Sequence, residues 1–95
     1  MATGQGTVTI NFGAFPGSNQ ASVTFVDAAI GAASKVEPFV MANSTTSDHT
    51  ANDHIYLQLF AAFSGLPTAG VGGTIYGVAP NKMIGTFKLN YIWAD

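Results

Sequence analysis

Two Asp-His pairs, Asp48-His49 and Asp53-His54, stand five residues apart and form the only concentration of titratable side chains in this sequence. Imidazole suits Zn or Ni, and carboxylate widens the choice of divalent cation. The four residue types therefore fit a metal site, either within one chain or with one His from each of three chains on a threefold axis. The spacing is not that of a helical i, i+4 histidine pair, and no H-E-x-x-H occurs. The same residues serve a second use. Asp48 and Asp53 suit Asx-turns that accept backbone N–H bonds, with the histidines packed or paired across a subunit contact. Loop geometry plus an inter-subunit polar contact is the leading expectation. A divalent metal is the lesser one, and no other cofactor is expected.

Hydroxyls crowd the same stretch: Ser44, Thr45, Thr46 and Ser47. A His oriented by an Asp can activate such a nucleophile. Against this, there is no G-x-S-x-G elbow, no Arg to hold an oxyanion or phosphate, and too little chain for a deep cleft. The expectation is that the chain is not an enzyme. Gly70-Val71-Gly72-Gly73 is glycine-rich, but it lacks the G-K-[ST] of a P-loop and precedes a strand, so it reads as a hairpin loop.

The elements around the cluster read as strands. Thr7 to Phe12 alternates with Val8, Ile10 and Phe12 on one face, and Ser22 to Val26 is a β-branched run. Val36 to Met41 is apolar on both faces, and Pro38 marks it as an edge or bulged strand. Residues 42–53 form the longest expected loop. Ile55 to Phe63 alternates and is aromatic, so a strand is favoured over a helix there. Leu66 to Gly73 reads as a loop, Thr74 to Val78 as a strand, and Pro80-Asn81 as a turn. Ile84 to Trp93 closes the chain, with Phe87, Leu89, Tyr91 and Trp93 on one face. Six strands with recurring turn signals imply an all-β fold, a compact antiparallel β-sandwich of one domain over residues 1–95, with helix below about 10%.

Composition narrows function. Only 8 of 95 residues are charged, the net charge is −2, and no ionisable side chain precedes Asp27. An average soluble domain is roughly a quarter charged. Three lysines and no arginine do not make a phosphate-tracking surface, so nucleic acid is not an expected partner. No apolar run has the length of a membrane span, and no membrane partner is expected. The first residues lack the basic and apolar regions of a secretory signal. Zero Cys excludes disulfides and thiolate metal sites. So bland a surface suits a chain that hides much of its outside against other chains.

Four segments carry a resemblance: Gly6–Gly17 (GTVTINFGAFPG), Ser47–His54 (SDHTANDH), Gly73–Gly77 (GTIYG) and Gly85–Trp93 (GTFKLNYIW). In order and spacing they resemble a family of small proteins encoded among the virion genes of tailed bacteriophages and prophages. The resemblance spans nearly the whole chain and implies a structural part of a phage particle. The strand count and the aromatic last strand are also similar to H-type lectin domains, six-stranded sandwiches that form trimers and bind sugars.

The expected role is thus a virion subunit, in head decoration, tail or fibre, working as a homo-oligomer, with a trimer favoured, against other virion proteins. Phe39, Met41, Tyr56 and Phe60 are the expected contact residues, because their strands are apolar on both faces. The alternative is a lectin-like module for host glycans, with Tyr76 and Trp93 as a stacking platform.

Overall fold

Alternation builds the strands. In the computed structural model, which describes residues 2–95, β1 (Thr3–Asn11) buries Val8 and Ile10 and turns its threonines outward. β2 (Ser18–Val26), β3 (Lys35–Phe39), β4 (Ala62–Thr68), β5 (Gly72–Met83) and β6 (Thr86–Ala94) follow, with one helix, α1 (Ala51–Phe60), between β3 and β4. The strands form two three-stranded antiparallel sheets, β1-β6-β3 and β2-β5-β4. This is the expected all-β sandwich, with β1 beside β2 and β3 beside β4 across the layers.

The core lies between the sheets. Ile10, Ile75, Leu89, Phe25, Phe87 and Trp93 fill it, and Phe25 stacks on Tyr91 with ring centroids 4.0 Å apart. Gly4 and Gly6 face Trp93 and Tyr91 across the β1–β6 ladder. A Cβ at either position would run into the facing ring, so the smallest residues make room for the largest.

Five sequence expectations need correction. Ile55 to Phe63 is not a strand: α1 covers Ala51–Phe60 and β4 begins at Ala62. The alternation there misleads, because the residues that go inward are His54 and Leu57, three apart as a helix requires. The expected loop over 42–53 therefore ends at Thr50, the N-cap. Leu66 to Gly73 is mostly strand, and its Pro67 is tolerated because β4 is a sheet edge. Pro80-Asn81 is no turn but part of β5, beyond the β4 register and within the shift between Ser18 and Gln20. The ten-residue helix also slightly exceeds the expected helix share. The edge position of β3, with its Pro38, is as expected.

Candidate functional site

β6 is longer than its partner β3. Pairing between them runs from Lys35↔Ala94 to Phe39↔Asn90 and stops. In an antiparallel ladder alternate residues point their N–H and C=O to the same side. Thr86 and Lys88 are thus left facing an empty ladder position. Side chains from the loop and α1 occupy it. Asp48 Oδ2 accepts from the Thr86 amide and from the Thr86 hydroxyl, both at 2.9 Å. Thr46 Oγ1 donates to the Thr86 carbonyl at 2.8 Å. The Lys88 amide donates to His54 Nε2 at 2.9 Å.

That last bond assigns the tautomer of His54. Nε2 accepts, so Nδ1 carries the proton and donates to the Thr50 carbonyl at 2.9 Å. The ring is fully buried with both nitrogens satisfied. His49 stacks on Phe87 at 3.9 Å, and its nitrogens meet Asp53 Oδ2 at 3.3 Å and the Ile84 carbonyl at 2.9 Å. Both partners are acceptors, so the doubly protonated ring fills both contacts and the neutral ring fills one.

Local sequence explains why the loop and helix sit there. Thr50 accepts from the Asp53 amide while Asp53 accepts from the Thr50 amide, a capping box that starts α1. Gly85 turns the chain between β5 and β6 at φ +82°, and a Cβ there would lie 2.9 Å from His49 Nε2. Only glycine suits both demands. Hydrogen bonds from the Thr86 hydroxyl and amide hold the Asp48 carboxyl below the usual carboxylate range. The Thr50 amide, then His49, does the same for Asp53.

This geometry shows how Asp48, His49, Asp53 and His54, the residues of the metal expectation, are bonded within one chain. Among the described residues no three His, Asp or Glu side chains converge as a ligand set. Each imidazole nitrogen lies within hydrogen-bond distance of a partner in the same chain. Of the nearby hydroxyls, Thr46 donates to the Thr86 carbonyl and Ser44 is buried, while Thr45 and Ser47 are exposed. The cluster is a polar latch that finishes a sheet edge.

Apolar surface lies on the other side of the same helix. Ile55, Tyr56, Leu59 and Phe60 form its outward arc and are 41, 59, 74 and 54% exposed. Phe39 and Met41 are exposed too, so all four expected contact residues are accessible. Ile55 and Leu59, which are not among the expected contact residues, stand exposed beside Tyr56 and Phe60.

Of the two expected stacking aromatics only Tyr76 is open. Trp93 is 3% exposed, and its indole N–H donates to Asp27 at 2.9 Å, so it cannot present a ring face to a sugar. Tyr76 stands on the outer face of β2-β5-β4 between its cross-strand partners Ser22 and Ser64. Gln20, Ser22 and Tyr76 line a shallow depression of about 330 Å3 there. Comparison of the chain with protein-family models, curated proteins and solved structures found no match.

Proposed function

We propose that this chain is a structural subunit of a multi-chain particle, joined to its neighbours through apolar surface, and that the particle is the bacteriophage virion its sequence resemblance implies. The observation that carries the reading is the outward arc of α1. A helix apolar on its solvent side belongs against something else. Four large side chains lie uncovered on ten residues of helix, with the Asp53 carboxylate, already bonded to Thr50 and His49, beside Tyr56 and Phe60. A joint with so few charges desolvates few ions. Homo-oligomers, trimers foremost, and other virion proteins are the partners this reading calls for. Quantitative mass spectrometry of purified particles tests it. The chain should be present at fixed, multiple copies per particle, and particles lacking it would refute the reading.

A second reading rests on Tyr76. A half-open ring with a hydroxyl on each side and an amide nearby is chemistry that suits a neutral sugar, whose C–H face packs on aromatics. Titration with neutral mono- and disaccharides, followed by amide NMR shifts, tests it. Shifts centred on Ser22, Ser64 and Tyr76 would support glycan binding, and an unchanged spectrum at millimolar sugar would remove it.

A further inference from the structure

The outward arc of α1 does not end at the helix. Beyond Phe60 the chain turns directly into β4, and a hollow of about 450 Å3 opens between the end of α1 and the far part of β5. Leu59 and Phe60 form one wall, and Val78 and Pro80 the other. Ala62 and Ala79 keep it hollow, because their side chains stop at Cβ. The surface thus pairs a protruding apolar ridge with an adjacent apolar depression.

We propose that this ridge and hollow form a self-docking surface, in which Leu59 and Phe60 of one copy enter the Ala62–Ala79 hollow of a second copy of this chain. The proposal rests on the assembly reading above and names its homomeric contact. Charge is the first argument for a second copy as occupant. None of the residues lining the hollow is ionisable. On the outer face of β2-β5-β4 beside it, β2 presents Gln20, Ser22 and Thr24, β4 presents Ala62, Ser64 and Leu66, and the charge exposed there is Lys82, near the end of β5. In a contact between two copies residue i meets residue j, and groups near the symmetry axis meet their own copies, so a surface with few charges has few to oppose or desolvate. The outer face of β1-β6-β3 is different, since Lys35, Glu37 and Lys88 stand on it.

Area is the second argument. A stable interface takes roughly 800 Å2 from each partner, about one seventh of the 5478 Å2 this chain exposes. An aromatic side chain covers roughly 150–250 Å2 when fully buried, and an aliphatic one less. Tyr56, Leu59, Phe60, Val78, Tyr76 and Leu66 are each about half open or more. Together they supply on the order of 600 Å2 before any polar rim is counted. The patch is large enough for a homomeric contact without help from elsewhere.

Sedimentation velocity of the isolated chain between about 1 and 100 μM tests the proposal. The wild type should sediment as a multiple of 9.8 kDa. Leu59→Asp and Val78→Asp, one on each wall, should each weaken association about 100-fold or more. Both sites are solvent-exposed, so the strand signature in circular dichroism should persist. Ile92→Asp, on the opposite sheet face, should leave the mass unchanged. A monomeric wild type throughout the range overturns self-docking, as does dissociation by Ile92→Asp equal to that by Leu59→Asp. A chain monomeric in isolation yet present at fixed copy number in particles would sink this proposal alone and leave the assembly reading standing.

Discussion

The two sides of α1 depart from the usual order. Its inner side carries His54 beside Leu57, and its outer side carries Ile55, Tyr56, Leu59 and Phe60. The inner histidine costs little to bury because both nitrogens find backbone partners. The outer apolar row has no such resolution within the chain. The titratable cluster is thus bonded into the fold, while the apolar row on the outer side is left over.

Breaking the inner side should have the largest effect. His54→Ala removes the acceptor of the Lys88 amide and the donor to the Thr50 carbonyl, and leaves a cavity against Phe87. A loss of about 2–4 kcal/mol is expected in urea unfolding, from the unsatisfied buried groups and the cavity. That is a large share of the stability of a domain this size. A loss within about 0.5 kcal/mol would mean the latch is ornamental. Long-range 1H–15N NMR should also show His54 protonated at Nδ1.

Thr50→Ala should come next, at about 1 kcal/mol, because it removes half of the capping box. Thr50→Ser should restore most of that loss.

Acid should loosen the same side. Asp48 and Asp53 have folded values below the ordinary 3.8. A depressed folded value means that the carboxylates stabilise the fold fully above that ordinary value and lose this contribution as pH falls through the lowered ones. Thermal midpoints should therefore decline below about pH 4. The decline should be shallower in Asp48→Asn, which keeps an oxygen for Thr86 but no longer titrates. An equally steep decline in that variant would place the acid sensitivity elsewhere.

The outer side should be almost silent by the same measure. Tyr56→Ser changes an exposed position, and its effect on the unfolding of a dissociated chain should stay within about 0.5 kcal/mol. A larger loss would show that Tyr56 serves the fold.

Much of the architecture was legible in the residues. Val8, Ile10 and Phe12, and then Phe87 to Trp93, alternate cleanly because each strand has one face on the core. The helix was not, although Thr50-x-x-Asp53 before an apolar run is a capping-box signature. Its apolar residues satisfy a strand period equally well, and the usual marker of a buried helical face was hidden because His54 holds that place. Pro67 and Pro80 read as breaks because sequence does not say that β4 is a sheet edge or that β5 runs on past its pairing with β4. The Asp-His spacing announced a special loop, but nothing in it revealed that β3 stops short of Thr86 and Lys88, and that gap decides what the cluster is for.

Hydroxyl-radical footprinting of the chain in its assembled state, measured against the urea-unfolded chain, tests the contrast between the two sides most directly. The account predicts that Tyr56, Leu59 and Phe60 are strongly protected, while Ile92 on the opposite sheet reacts as an exposed side chain. Full reactivity of Tyr56, Leu59 and Phe60 in the assembled state, at the level their open positions on the single chain allow, would contradict it.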